Sequence, residues 1–533
     1  MNFLNILFIA GIIIFLIVFY GVERLVVKKG KRFFCFIGSL WRSIKTAILE
    51  NKDVKNFIGK HPRLFSFLKK RFNKNKFSGL PLTLLGTAFL YAFFLFLGIT
   101  EDIINSPLVA ATDIRVENLL AAFHSAGLIK IFLWITLFGK WQVIFAFTAI
   151  SVALFWMWGK KLYIAPFLIS IASSQIFVFF AKILFHRPRP EVAVYTEHSF
   201  SFPSGHAAIA VAFYGFLAYA LTRRVKKRKH KIGILFTTLL IISAIGFSRL
   251  YLGVHYLSDI WGGYLLGLLW MIFAISLCEW MTARKIKAAR PPKLFAPKRK
   301  KIISLALIFG AILFYAGFAN QYHPSLELGP FPQKEISARG ALDIFSKVRL
   351  PKYTETILGA HQEPLSFLIV AQNDTQLIGA FRSAEWHLAD EVSFFSLMKI
   401  AKAAFLKKEY LKAPMTPDFW NNQVHNFGFE KPTDIQNVRQ RHHARFWLTP
   451  YRLKNGERIY VGTASLDIGI KWGVTHKINP DIDTEREFLL NDLRSTGLIG
   501  EFRKIQFVKP AIGQNFSGDQ FFTDGKIYII MLK

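Results

Sequence analysis

Apolar runs of membrane-spanning length, divided by short polar connectors, fill most of residues 1–320 and leave this chain little choice of fold. The runs at 3–20, 82–99, 141–158, 163–185, 206–221, 232–250, 259–280 and 302–319 each hold enough residues to cross a hydrocarbon core as a helix. Backbone groups in lipid must be satisfied within the segment, so the expectation is an all-α polytopic bundle of about eight spans. The apolar piece at 128–138 is short for a span and reads as interfacial. After 320 charged and apolar residues intermingle. Strand-like runs at 366–371, 444–449, 458–465 and 526–532, with helical patterns at 334–348 and 392–407, predict a soluble mixed α/β domain there.

The formal net charge is +34. A charge of that size suits nucleic acid, but the basic residues lie between the apolar runs, which is the pattern of cytoplasmic membrane loops, so no nucleic-acid partner is expected. The connector 223–231 carries seven Lys or Arg and 284–301 carries nine. Alternation along the chain puts 21–80, 159–162, 223–231 and 281–301 on that cytoplasmic side. It puts 186–205, 251–258 and everything after 320 on the other. The run 3–20 has its positive charges after it and no small-residue cleavage site, so it reads as a retained anchor with an outward N-terminus. Within 31–80, Phe33, Ile37, Leu40, Trp41, Ile44 and Ile48 recur at helical spacing. Two readings stay open for that stretch: an amphipathic helix on the anionic leaflet, or a helix packed on a neighbour. Cys35 and Cys278, the two cysteines, allow neither a disulfide framework nor a zinc site.

Three polar islands interrupt the membrane half: KILFHRPRP (182–190), PSGH (203–206) and SRLYLGVHYLSD (248–259). The topology argument sets all three on the outer face. Cleaving a phosphate ester requires cations and amides on the non-bridging oxygens, a nucleophile in line, and an acid for the departing oxygen. Lys182, Arg189 and Arg249 supply the cations, and Ser204 and Gly205 precede a helix, where hydroxyl and amides can meet an anion. His255 and Asp259 share one helical face, so the carboxylate can hold one imidazole nitrogen and leave the other to attack. His206 is then the acid. A lone His or Arg at a span end is ordinarily interfacial. Convergence of six such residues from three segments on one face is not explained that way.

The islands resemble the tripartite signature of the type 2 phosphatidic acid phosphatase superfamily, KxxxxxxRP, PSGH and SRxxxxxHxxxD, over about residues 80–280. That resemblance implies a phosphohistidine on His255 oriented by Asp259, His206 as general acid, and phosphate binding by Lys182, Arg189, Ser204, Gly205 and Arg249. It implies no metal and no other cofactor. Arg187 also precedes a proline, but the family spacing from Lys182 selects Arg189; Arg187, His186 and His198 are read as supporting or structural.

The segments 438–449 and 461–486 resemble the LssY-type C-terminal domain, and 20–80 is similar to the linker that follows a DedA-type membrane domain in longer relatives. Expected domains are an anchor and basic linker (1–79), a lipid-phosphatase domain (80–281), a connector with the last span (282–320) and a periplasmic LssY-like domain (321–533). His442, His443, His476, Asp481 and Asp483 can be drawn as a metal site. Adjacent histidines on a strand point to opposite sides, however, and Asp483 reads as a helix cap, so no metal is expected.

The resulting expectation is an inner-membrane lipid phosphatase acting at the periplasmic face. Its substrate is a lipid phosphate or diphosphate of the undecaprenyl diphosphate, phosphatidic acid, phosphatidylglycerophosphate or lipid A type, and the C-terminal domain is free for a protein partner. A vanadate-dependent haloperoxidase shares such a cradle but is soluble. A transporter or secretion scaffold has no need of a His–Asp pair beside PSGH.

Overall fold

The computed structural model describes residues 4–284, 296–326, 334–335, 342–389, 415, 417–437, 440–471, 475–515 and 518–533. The expected helix at 392–407 lies outside them. The chain forms two compact units. One comprises Ile13–Ser106 with Ala126–Glu327; the other comprises Met1–Ile12, Pro107–Ser125 and Leu328–Lys533.

The first unit is helical. It begins in α1 (Leu4–Glu50), followed by α2 (Lys52–Lys60), α3 (Pro62–Arg71) and α4 (Leu80–Asn105). The anchor and the amphipathic stretch are one continuous helix, since no proline separates the first run from Phe33–Ile48. Phe19 meets Phe236 edge-on at 5.0 Å, so α1 packs within this unit. After α5 (Pro107–Ala121), which belongs to the other unit, come α6 (Ala126–Leu137), α7 (Trp141–Met157) and α8 (Ile164–Phe185). Then follow α9 (Gly205–Ala210), a π turn, α10 (Phe216–Thr222), α11 (Arg228–Tyr251), α12 (Leu257–Ala283) and α13 (Pro297–Gln321).

Among the described residues six helices are long and apolar enough to cross a membrane, and α6 with α7 makes a seventh if that pair, bent by 41°, is one span. This is an integral membrane protein. The segment read from sequence as interfacial packs against the bundle, with Leu128, Ile129, Phe132 and Leu133 of α6 buried. Helix α12 is the axis of the bundle, because its small residues let other backbone approach. A Cβ on Gly263 would stand 2.5 Å from the Ser204 carbonyl oxygen, and one on Gly267 would stand 2.3 Å from that of Ala208. Those glycines let PSGH and α9 sit directly against the helix that carries Asp259.

The second unit is built on a nine-stranded sheet. Its main strands are β1 (Phe367–Ala371), β2 (His387–Leu388), β3 (Phe427–Asn437), β4 (Gln440–Arg452), β5 (Arg458–Lys471), β6 (Ile499–Gln506) and β7 (Lys526–Leu532). They lie in the order β6-β7-β1-β5-β4-β3-β2, with only β7 and β1 parallel along that path. All four strand-like runs seen in the sequence are therefore strands of this sheet. Of the expected helix at 334–348, the described residues show Lys334–Glu335 as strand and Asp343–Lys347 as helix.

Strand alternation sorts the core. Phe367, Ile369, Ala444 and Phe446 pack on one face beneath α14 (Asp374–Ser383) and α15 (Ile482–Ser495). Leu368, Val370, Trp447, Ile459 and Val461 pack on the other with Trp420. Trp420 belongs to a second, four-stranded sheet made by 353–355, 361–364, 419–420 and 423–424.

Helix α5 lies between two membrane helices in sequence, yet it bonds into this unit: Arg115 pairs with Glu355 at 2.6 Å, and Asn118 donates to the Asn422 carbonyl. The expected boundary at 321 is thus too simple. The cap of α15 also differs from expectation. Asp481 accepts from the Thr484 amide, while Asp483 accepts from Arg486, Thr523 and the Asp524 amide.

Candidate active site

The three islands meet in the helical unit. Lys182, in the last turn of α8, donates to the Ser199 hydroxyl at 3.1 Å and to the Phe200 carbonyl. Arg189 reaches the same loop: Nε donates to the Ser199 carbonyl at 2.6 Å and a terminal nitrogen to the Ser199 hydroxyl at 3.0 Å. The loop after RPRP is thereby folded back over the two cations that begin it.

Arg249, near the end of α11, is fully buried. One terminal nitrogen donates to Thr136 of α6 at 3.0 Å and to the Tyr195 hydroxyl at 2.6 Å. The other meets the Glu197 carboxylate at 2.5 Å. Glu197 also pairs with Arg189 at 2.8 Å, so one carboxylate bridges both arginines. Burial acts to raise the Glu197 pKa, but Arg249, His206 and Arg189 outweigh it and hold the group well below the usual carboxylate range.

His255 and Asp259 are both buried. The His255 Nδ1 lies 3.3 Å from an Asp259 carboxylate oxygen, and that oxygen also accepts from the Tyr256 amide at the start of α12. The Nε2 lies 3.4 Å from a terminal nitrogen of Arg189. Burial, and then the nearby Arg189, Arg249 and Lys182 cations, push the imidazole pKa well below its ordinary value. A neutral ring with Nδ1–H turned to Asp259 presents its Nε2 lone pair toward the guanidinium that would hold a phosphate.

Asp259 is held from the other side by Arg187, which donates to it at 2.7 Å and to Ser258 at 2.7 Å, with its guanidinium over the Tyr256 ring. Ser204 caps α9, its hydroxyl accepting from the Ala207 amide, while its own amide donates to the Asp259 carbonyl. The Ser204 amide is therefore engaged with α12, and only its hydroxyl and the amides beyond it are placed for an anion. Gly205 opens α9, and its carbonyl accepts from Gln175. The His206 ring packs against Gly139, where a Cβ would come within 3.0 Å of the His206 Cδ2.

The structure thus gathers every residue singled out in the sequence: Lys182, Arg189, Ser204, Gly205, His206, Arg249, His255 and Asp259. It adds Glu197, Tyr195 and Thr136, which no periodicity marked. The available signal is a pair of acids, Glu191 and Glu197, in a loop bounded by cations. His186 is a left-handed helix cap stacked edge-on against Phe200 at 4.5 Å, a structural part.

In the second unit His442 bonds Glu485 of α15 and stacks on Phe488 at 4.0 Å, whereas His443 faces Asp467 at 3.1 Å. The two histidines point to opposite faces of β4, as strand geometry requires. The His476 side chain lies outside the described residues.

Comparison with known proteins agrees with both halves of this division. Residues 163–285 match the family described as PAP2 superfamily, and residues 347–527 match the one described as LssY C-terminus. Phosphatidylglycerophosphatase B of Bacillus subtilis (strain 168) is 30% identical over 178 residues, which are 33% of this chain and 88% of that protein. Among solved structures, a transmembrane PAP2 type phosphatidylglycerolphosphate phosphatase from Bacillus subtilis is 27% identical, covering 38% of this chain and 98% of that one, with a TM-score of 0.34. Aquifex aeolicus LpxE is 25% identical over 30% of this chain and 92% of its own, with a TM-score of 0.26.

Proposed function

The chain belongs to the PAP2 superfamily, and from that premise we propose that it is a membrane phosphatase cleaving a lipid phosphate or diphosphate through a phosphohistidine on His255. The observation that carries this reading is the bridging of Arg189 and Arg249 by one carboxylate beside the His255 Nε2. Two guanidiniums converging on a single anion, with a neutral imidazole alongside, suit a phosphoryl group poised for attack.

In the proposed reaction the substrate phosphate takes the place of the Glu197 carboxylate on Arg189 and Arg249, with Lys182 and the Ser204 hydroxyl on its remaining oxygens. The His255 Nε2 attacks phosphorus and the P–O bond to the leaving group breaks. Protonated His206 gives its proton to that departing oxygen. Asp259 holds the positive charge that develops on His255, and Arg187 keeps Asp259 in place. Water then attacks the phosphohistidine, neutral His206 takes the water's proton, the N–P bond breaks, and inorganic phosphate leaves. The cations neutralise the phosphoryl charge, so turnover is expected to survive chelators.

The basic connectors support the cytoplasmic assignment of the opposite face, and hence an active site on the periplasmic side of a bacterial inner membrane. The domain reading is adjusted to the two compact units, with α5 assigned to the LssY-like part.

The test is phosphate release from undecaprenyl diphosphate, phosphatidic acid, phosphatidylglycerophosphate and lipid A by purified protein, with His255→Ala and His206→Ala alongside. The name of the Bacillus relative puts phosphatidylglycerophosphate first in that panel. An acid-labile, alkali-stable phosphoryl-enzyme trapped in wild type and missing in His255→Ala is the expected result. Undiminished turnover by His255→Ala sinks the assignment.

A further inference from the structure

The C-terminal unit holds a cavity of about 200 Å³ between its two sheets, and none of its lining residues is assigned to phosphatase chemistry. Successive inward residues of β4, Arg441, His443 and Arg445, form one wall, and Glu363 and Asp418 face them from the smaller sheet. Apolar contact does not explain the presence of these groups, because the cores on both sides of the large sheet are complete without them. Burying charge away from water is costly unless every group is satisfied.

Part of the cluster is satisfied internally. Arg441 pairs with Glu430 at 2.7 Å and Asp467 at 3.3 Å, and Asp467 faces His443. The Glu355 carboxylate on the rim is taken by Arg115. The rest is not closed on itself. The Arg445 Nε is buried and has no hydrogen-bond acceptor among the described residues, while a terminal nitrogen of the same side chain meets the His443 Nε2 at 3.2 Å. Buried Glu363 accepts from Ser465 at 2.8 Å through one oxygen, and Asp418 accepts from Gln362 at 2.8 Å and from the Phe419 amide.

The balance of these groups restricts the ligand. Four carboxyls (Glu355, Glu363, Asp418, Asp467) and two guanidiniums (Arg441, Arg445) line the space. An anion would meet the carboxyls, and a cation would meet the Arg445 donors. A neutral molecule carrying hydroxyls, each able to donate and accept, suits both. Burial pushes the Glu363 carboxyl up to about 7 and that of Asp418 up to about 6, so near neutrality the pair offers donors as well as acceptors. Phe419 contributes an aromatic wall. The volume is suited to one sugar ring rather than a lipid chain.

We propose that this cavity, lined by Glu363, Asp418, His443 and Arg445, is a binding site for a neutral monosaccharide unit. The sugar comes either from a free glycan or from the head group of a glycolipid.

Full-length protein in nanodiscs, probed by saturation-transfer NMR with glucose, mannose and N-acetylglucosamine, tests it. Inorganic phosphate and ethanolamine are the charged controls. The expected result is a signal from at least one neutral sugar, weakened at least about tenfold in affinity by Glu363→Gln and by Arg445→Gln. A signal seen only when the sugar is carried on a lipid in the nanodisc, with the same sensitivity to both substitutions, supports the glycolipid source. Glu363→Gln removes charge without changing volume and relieves a buried carboxyl, so its thermal unfolding is expected at or above that of wild type. Silence from every sugar, binding of phosphate or ethanolamine instead, or sugar binding indifferent to both substitutions overturns the site. Because the readout is binding, failure here leaves the phosphatase reading standing, and failure of that reading leaves this one.

Discussion

Glu197 stands where the substrate phosphate is expected, and replacing it by Gln measures what its charge does there. The substitution keeps the shape and one carbonyl oxygen while removing the negative charge that bridges Arg189 at 2.8 Å and Arg249 at 2.5 Å. Hydrogen bonds to charged groups are worth about 1.5–3 kcal/mol each. The Glu197 side chain is 26% exposed, and the entering phosphate recovers most of what the arginines give up. A net competition of roughly 1.5–3 kcal/mol is what remains after that discount. Glu197→Gln is therefore expected to lower KM for a lipid phosphate, and the inhibition constant for free phosphate, by about 10- to 100-fold. The change in kcat should stay within about threefold, since Glu197 does not touch the reacting atoms in the proposed complex.

The pH dependence sharpens the test. A carboxylate whose folded pKa is depressed contributes stability that is fully present above its unfolded pKa and lost as pH falls through the folded one. The cations around Glu197 hold its pKa below the ordinary range. Its competition with phosphate should thus persist, with the variant's KM advantage roughly constant between about pH 5 and about pH 8. An unchanged or raised KM with a collapse in kcat would show that Glu197 is scaffolding for the arginines, and the placeholder reasoning would be wrong. An advantage that fades by about pH 5 would refute the depressed pKa.

Four further outcomes are expected. Arg187→Gln removes the cation on buried Asp259 and should cut kcat by about 10- to 100-fold with little effect on KM, a split that steady-state kinetics reads directly. Gly267→Ala forces a Cβ against the Ala208 carbonyl and should cost phosphatase activity and lower Tm together, because α9 can no longer sit on α12. Arg115→Met strands Glu355 in a largely buried site and should destabilise the C-terminal unit by about 3 kcal/mol, most of it recovered by adding Glu355→Gln in a double-mutant cycle. Glu363 has a raised pKa, so its folded form is favoured below about pH 4.5 and stability falls as pH rises through about 7, by roughly 2–4 kcal/mol. Denaturant titrations across that window should show the loss in wild type and a flat profile in Glu363→Gln.

The sequence made some of this legible and hid the rest for definite reasons. The spacing of His255 and Asp259 marks them as a pair, but His255 stands ahead of Leu257, where α12 begins, so it is the bend before the helix and not a shared helical face that brings the ring to the carboxylate. Lys182, Arg189 and Arg249 are conspicuous because charge beside apolar runs is costly. Glu197 and Tyr195 sit in a loop where no period applies, and Thr136 lies on a helix whose shortness suggested the interface. Counted as one span with α7, across a bend of 41°, that helix is long enough to cross a membrane. The anchor and amphipathic stretch read as two elements because hydropathy changes between them, but nothing in residues 20–33 interrupts helical hydrogen bonding. Position along the chain places helix α5 in the membrane half, whereas Arg115 and Asn118 tie it to Glu355 and to the turn at Asn422, hundreds of residues later. On β4 the alternation of His442 and His443 was readable. That Arg441, His443 and Arg445 line a cavity depends on a second sheet, and its short strands carry no comparable pattern.

The two buried clusters differ in a way that bears on their ligands. Around Arg249 cations outnumber acids, and the carboxylate that bridges the two arginines, Glu197, is driven to stay ionised, so the site is already arranged around an anion. Around Arg445 acids outnumber cations, and burial pushes Glu363 up to about 7 and Asp418 up to about 6, so part of the acidic excess stays protonated near neutral pH. A pocket that fixes a charge selects a charged group. A pocket that discharges itself selects a neutral one with hydrogen bonds to give and accept.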